Sequence, residues 1–257
     1  AGRGPEAADA YAIAVKDGGA TPGEALDLKR RAAEQLLRSG HVDEGMQRLR
    51  DVLAVVGMTI APQPWRAFVA LLFRRGHLQL RGLEFNEKPA AEVDADRLRQ
   101  IDVCWSVSVG LAMIDTMRGA SFQTRQLILA LQAGEPYRVA RALAAEASFV
   151  ATIGERGEAR AAALIKESRA LAVRVGDAQL MGLIEFCTGL THFLVGRWKE
   201  AQANQVEAEK LFREAGSAVT WEAASARLFA VWSLFYLGEL KQLSTRLPAL
   251  LDEARRR

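Results

Sequence analysis

Six of the glycines in this chain recur at intervals that suit pairs of helices. Each of them precedes a stretch with a small or aliphatic residue at +5 and mostly apolar residues at +9 and +12. Those offsets fall on one side of an α-helix, because steps of four and three residues straddle the 3.6-residue turn. One glycine-hinged helix pair cannot bury its apolar face alone, so the pattern predicts a stack of such pairs. The glycines are Gly2, Gly40, Gly119, Gly154, Gly196 and Gly238.

The spacing of these glycines gives the size of the predicted repeat. Helical arrays have periods from about 34 residues, for the tetratricopeptide repeat, to the mid-forties. Four of the five intervals between successive glycines fall in this range. The interval from Gly40 to Gly119 is twice as long as the others. We therefore interpret it as two units, one of which is degraded or replaced.

Three short segments resemble the tetratricopeptide family. Residues 189–201 (GLTHFLVGRWKEA) and 154–159 (GERGEA) are the most similar, and 38–45 (RSGHVDEG) differs in having Gly45 where the family prefers alanine. The chain departs from the family pattern at Val231, Lys166 and Gln205. The resemblance implies a TPR-like α-solenoid of stacked antiparallel helix pairs with an irregular helical insertion.

A longer resemblance covers residues 101–147, the GRWKEA turn and residues 228–240 (LFAVWSLFYLGEL). These segments are similar to the C-terminal helical repeats of large bacterial proteins in which a serine/threonine kinase domain and an AAA-type signalling ATPase domain come first. The resemblance implies a regulatory or partner-sensing role. It brings no catalysis with it, because the 257 residues contain no kinase or ATPase motif.

Local signals predict an all-α chain in three parts. Residues 1–56 form helix pairs, the first incomplete; residues 57–98 form an irregular helical segment with a loop; and residues 99–257 form further pairs. Residues 21–24 (TPGE) are a capping box that starts a helix, and Asp94 or Asp96 caps another. A helix is expected over 121–132, after Gly119. Pro248 predicts a kink or a new helix start.

Composition is that of an ordinary globular chain. The apolar fraction is 50%, the charged fraction is 25% and the net charge is +3. Basic and acidic residues interleave, which argues against a nucleic-acid-binding face. Cys104 and Cys187 lie in apolar patterns and are expected to be reduced core thiols. Without a signal peptide or an apolar run long enough to span a bilayer, the sequence favours a cytoplasmic location and no membrane.

No catalytic, cofactor or metal site is predicted. His41, His77 and His192 have no second ligand at helical spacing, and no phosphate loop or nucleophile elbow occurs. The pair Asp94 and Asp96 precedes a helix, where capping is the favoured interpretation over cation binding.

The candidate binding site is the concave face made by the first helix of each pair. The character of this face is expected to change along the chain. In the N-terminal repeat its positions are Asp27, Arg30, Glu34 and Leu37, which are mostly polar, and near the C-terminus its positions are apolar. Two interpretations of the apolar end stay open, a groove for an amphipathic helix and a packed core; residues 180–195 are apolar nearly all round, which favours core. The apolar residues are Leu183, Phe186, Leu190, Phe193, Leu228, Trp232 and Phe235.

Three functions follow as hypotheses. The first is a protein-interaction and regulatory scaffold that binds a protein or peptide partner, or neighbouring domains of the same chain. The second is self-association into a homo-oligomer through exposed terminal repeats. The third and least supported is nucleic-acid binding by the arginine-rich ends, including Arg255, Arg256 and Arg257.

Overall fold

The computed structural model describes residues 3–17, 19–112, 114–216 and 220–256. Over these residues the chain forms twelve α-helices and one 3-10 turn, Ala90–Glu92, with no β-strand. The predicted all-α class is thus confirmed. The chain divides into two compact units, residues 1–135 and 136–257, and each is described by itself.

Unit 1 contains the first six helices. α2 begins at the predicted capping box, in which Thr21 accepts from the Glu24 backbone N–H and the Glu24 carboxylate accepts from the Thr21 N–H. Asp94 caps α5 by accepting from the N–H groups of Asp96 and Arg97. The helices are α1 Gly4–Lys16, α2 Pro22–Arg38, α3 Val42–Val55, α4 Pro64–Arg81, α5 Ala95–Leu111 and α6 Thr116–Ala133.

Packing in unit 1 mostly follows chain order, and the main exceptions are the contacts of α2 with α5 and of α4 with α6. α2 packs against α1, α3 and α5, and α5 packs against α6. α4 packs chiefly against α6, two helices further along the chain. Its buried side includes Ala67, Leu71 and Leu78.

Unit 2 contains the other six helices, and most of its contacts are between sequential helices. α7 packs against α8 and α9, α9 against α10, and α10 against α11. α9 also contacts α11. α12 continues through Pro248 as one helix, so no new helix starts there. The helices are α7 Pro136–Ala151, α8 Glu155–Val175, α9 Ala178–Leu194, α10 Trp198–Glu214, α11 Thr220–Tyr236 and α12 Leu240–Arg256.

The predicted glycine hinges are confirmed at four positions. Gly40, Gly154, Gly196 and Gly238 lie between helices with φ of 88°, 72°, 83° and 73°, where a side chain is disfavoured. The hinge at Gly119 is wrong, because this glycine is buried within α6. Gly2 lies outside the described residues.

The hinge predicted at Gly119 is replaced by an aspartate cap four residues earlier. The Asp115 carboxylate accepts from the Arg118 N–H at 3.0 Å, so α6 starts at Thr116. Gly119 instead allows close packing on α5, because a Cβ there would lie 3.3 Å from the Ser108 carbonyl oxygen.

The predicted buried side of the second helix is correct after Gly40 and Gly196, wrong after Gly154, and correct only in part after Gly2, Gly119 and Gly238. Gly45, Leu49 and Val52 are buried in α3, and Ala201, Gln205 and Ala208 are buried in α10. After Gly154 the predicted residues Ala159, Ala163 and Lys166 are exposed. α8 begins directly after Gly154, whereas α3 and α10 begin two residues after their glycines. Each residue turns a helix by about 100°, so the same offsets fall on another side of α8.

Both cysteines are free and buried, which confirms their predicted place in the core. Burial raises the pKa of each thiol to about 12. None of the helices in the described part of the chain combines the length and the apolar character that a bilayer crossing requires.

Candidate functional site

α11 presents an apolar side to solvent. Its small residues Ala226, Ala230 and Ser233 are buried, and the helix packs chiefly against α10. Steps of seven, four and three residues lie on one helix face, and such steps connect the exposed large side chains of α11. This α11 stripe consists of Trp221, Leu228, Trp232 and Phe235, which are 36%, 45%, 37% and 62% exposed.

The rings of α9 and α11 form one continuous network around Phe229. The Phe229 ring lies 6.0 Å from Phe186, 5.4 Å from Phe193 and 5.2 Å from Trp232, all edge to face. Edge-to-face pairs of this kind contribute about 0.5–1.5 kcal/mol each beyond the area they bury. The network therefore fixes the position of the Trp232 ring against α9.

Tyr236 extends the network to α10 and to the end of α11. Its ring lies 5.6 Å from Phe193 and 5.7 Å from Phe235, and stacks on Trp198 at 5.0 Å. We call the whole set the aromatic surface. It consists of Phe186, Phe193, Trp198, Phe229, Trp232, Phe235 and Tyr236.

The seven residues predicted to form the binding site differ in their burial. Leu183 is buried in the core of unit 2, and Phe186, Leu190 and Phe193 are half-buried. The three residues of α11 are exposed. Ring contacts join Phe186, Phe193 and Trp232 through Phe229, and Phe235 through Tyr236.

Sequence reasoning missed Phe229, Tyr236 and Trp198. Phe229 and Tyr236 are seven residues apart and therefore form a second stripe on α11, next to the first. Reading α11 as aromatic on two adjacent stripes finds both residues. Trp198 is the first residue of α10, and no period in the sequence connects it with α11.

A polar network holds α9 in place behind the aromatic surface. The Gln205 amide donates to the Phe186 carbonyl at 3.1 Å, and a Cβ at Gly189 would lie 2.7 Å from that amide. The absence of a side chain at Gly189 therefore makes room for Gln205. This contact explains why a buried polar residue stands where the repeat pattern expects an apolar one.

Glu185 extends the polar network. The carboxylate of Glu185 pairs with Arg169 and accepts from the Asn204 amide at 2.9 Å. Asn204 also contacts His192 Nδ1 at 2.9 Å. Glu185 and His192, two polar residues that interrupt the apolar pattern of α9, thus make these contacts within unit 2.

Charges beside the α11 stripe are neutralised within unit 2. Arg227 donates to Glu209 of α10 at 2.8 Å and to Glu253 of α12 at 2.5 Å. Burial lowers the pKa of Arg227, but the carboxylates of Glu209 and Glu253 outweigh it and raise this pKa above its ordinary value. The aromatic surface therefore offers mainly apolar contact next to a compensated cation.

The polar face expected at the N-terminal repeat is not an open face. Arg30 bridges Asp27 and Glu34 at 2.5 Å and donates to the Ser106 hydroxyl of α5 at 2.9 Å. Burial lowers the pKa of Arg30, but the charges of Glu34 and Asp27 outweigh it and the pKa is raised. Because α5 packs against α2, these half-buried residues serve internal packing, and Leu37 is buried.

The described residues contain no cluster of three or more His, Cys, Asp or Glu side chains that could hold a metal ion. Asp94 caps α5, as predicted, and Asp96 pairs with Arg99 at 2.5 Å.

No protein-family model, curated protein sequence or solved structure matches this chain.

Proposed function

We propose that this chain is a non-catalytic protein-interaction module whose aromatic surface receives an amphipathic helix of a partner protein or of a neighbouring domain. The exposed α11 stripe, joined through Phe229 to the half-buried rings of α9, is the observation that carries the proposal. Large aromatic side chains held in place by neighbours act as anchors in protein interfaces. Helices that bind such surfaces place apolar residues at i, i+3 or i+4, and i+7.

The TPR-like solenoid is part of this proposal. In unit 2 the helices α7, α9 and α11 each begin a pair, and each contacts the next of the three. In unit 1, α2 and α5 begin the pairs α2/α3 and α5/α6 and also contact each other. α4 is then the insertion that replaces a repeat in the long interval between Gly40 and Gly119. These contacts support stacked helix pairs.

A library of amphipathic helical peptides selected on the native chain tests the proposed function. The matched counter-selection uses the same chain with Trp232→Ala and Phe235→Ala. We expect selected peptides to share apolar residues at helical spacing and to bind the variant at least about tenfold more weakly, the loss of one good anchor. Peptides that bind the native chain and the variant equally well would show that the interaction surface lies elsewhere.

Self-association is a second candidate, which one observation favours. The last helix exposes Leu240, Leu247 and Leu251, which are 66%, 38% and 54% exposed. Exposed terminal repeats of this kind stack on further helices or on a second copy. Light scattering over a concentration series tests it: a mass that stays that of the monomer excludes this candidate.

A place in a bacterial kinase and ATPase signalling protein is proposed from the resemblance of residues 101–147 and 228–240 alone. The full reading frame tests it. A kinase catalytic loop and a phosphate loop before the repeats are expected, and their absence overturns the assignment.

A further inference from the structure

α4 and α6 line an open cleft on unit 1. Its volume is about 390 Å³, which is within the range of small-molecule sites. One part of its lining is apolar, formed by Phe73, Ile128 and Leu129. The other part is polar, formed by Arg74, His77, Arg125 and Gln132.

The two arginines of the cleft lining, Arg74 and Arg125, take part in no ion pair among the described residues. Arg74 donates to the Ser121 hydroxyl. Neither α4 nor α6 contains an acidic residue. The arginines of these two helices are Arg66, Arg74, Arg75, Arg81, Arg118 and Arg125.

Two guanidinium groups in one cleft favour an anion. Burial of Arg74 and the neighbouring charge of Arg125 both lower the pKa of Arg74, which means that its positive charge is destabilised where it stands. A bound anion relieves this repulsion, and a carboxylate matches the planar fork of a guanidinium with two parallel hydrogen bonds.

The apolar lining limits the ligand further. Phe73 is 76% exposed and Ile128 is half-buried, while Leu129, only 9% exposed, completes the apolar lining on α6. A chain of methylene groups laid along these side chains removes apolar area from water on both molecules. An inorganic anion would leave this part of the cleft unused.

We propose that the α4/α6 cleft binds a small monocarboxylate that carries an apolar chain, with the carboxylate at Arg74 and Arg125 and the chain along Phe73, Ile128 and Leu129. The cleft shares no residue with the aromatic surface, and the proposal does not depend on the proposed interaction function. The cleft would thus give this chain a small-molecule ligand in addition to the proposed partner helix.

Calorimetric titration of the full chain with octanoate tests this proposal. Octan-1-ol serves as the probe without a charge and acetate as the probe without a chain. Arg125→Gln removes a cation that has no ion-pair partner in the described residues, so the fold is expected to survive, which circular dichroism checks. Arg66→Gln on α4 is the matched control, because it also removes one positive charge. The Arg66 guanidinium lies 5.4 Å from the centre of the Trp65 ring, and Arg66 does not line the cleft.

We expect octanoate to bind at least about tenfold more tightly than either octan-1-ol or acetate. Arg125→Gln should weaken octanoate binding by about fivefold or more, and Arg66→Gln should leave it unchanged. Equal binding of octan-1-ol and octanoate overturns the proposal, because the arginines would then contribute nothing. Equal weakening by the two arginine variants also overturns it, because the effect would then be that of net charge.

Discussion

Single glycines have opposite effects at different positions in these helices. A Cβ at Gly157 in α8 would lie 2.3 Å from the Val150 carbonyl oxygen, a backbone atom that cannot turn aside. A Cβ at Gly76 in α4 would meet nothing within 4 Å. The first glycine therefore sets how closely α7 and α8 approach, and the second only weakens its helix.

We expect Gly157→Ala and Gly76→Ala to change stability in opposite directions. The first should lower the free energy of unfolding by about 1–3 kcal/mol through overpacking. The second should raise it by up to about 1 kcal/mol, because alanine is the better helix former. Urea unfolding of the full chain measures both. Stabilisation by Gly157→Ala would mean that the packing of α7 on α8 is looser than described.

Cys104 and Cys187 make the stability of the fold depend on pH. Each thiol has its pKa raised from 9.0 to about 12, mainly by burial. The folded chain therefore keeps both protons where the unfolded chain loses them. The stability from the neutral thiols is fully present below about pH 9 and is lost as pH rises toward about pH 12.

Unfolding free energies at about pH 8 and pH 10.5 test this sign. The native chain should lose roughly 2 kcal/mol more per thiol between these conditions than a chain with Cys104→Ala and Cys187→Ala, since one pKa unit corresponds to about 1.4 kcal/mol. The alanine chain controls for tyrosine and lysine, which ionise in the same range. Parallel pH profiles for the two chains would contradict the burial of the thiols.

Helix ends were predictable where side-chain chemistry marks them. The capping box at residues 21–24 and the cap at Asp94 both start helices as predicted. The start of α6 was predicted wrongly, because Gly119 matches the hinge pattern and the helix was therefore expected to begin after it. The helix begins instead at the Asp115 cap. A glycine serves equally at a hinge and at a close helix contact, so the pattern alone does not separate these two uses.

The solvent exposure of each site residue was not predictable from the sequence of α9 or α11 alone. Helical spacing finds which side chains share a stripe, and it found Trp232 and Phe235 on one stripe. Exposure depends on which neighbour covers that stripe. The Phe229 ring and the Gln205 contact with Phe186 join different helices, which a period within one helix does not report.

Removing the exposed rings of α11 should destabilise the chain less than removing a core ring. We expect Phe235→Ala to cost less than about 1 kcal/mol and Trp232→Ala about 1–2 kcal/mol, because each loses only part of its contacts. Phe212 is 1% exposed, and Phe212→Ala should cost about 3–5 kcal/mol. Denaturant unfolding compares the three variants. A cost for Phe235→Ala equal to that for Phe212→Ala would show that the α11 stripe is core.

At the scale of the whole chain, the all-α class and the sequential packing follow from patterns that repeat along the sequence. The insertion of α4 does not follow from them, since the long interval between Gly40 and Gly119 fits a degraded repeat as well as a replaced one. The position of α4 against α6 is a long-range contact without a periodic signal. It is also the contact that creates the arginine-lined cleft.

A partner helix bound at the aromatic surface would change the surroundings of Trp198 and Trp232, two of the chain's five tryptophans. The measurement is fluorine NMR of the chain labelled with 5-fluorotryptophan, titrated with a peptide selected on the native chain, with the Trp232 signal assigned from Trp232→Phe. We predict that the signals of Trp232 and Trp198 shift with saturation. Saturable binding that leaves the Trp232 signal unchanged would contradict binding at this surface.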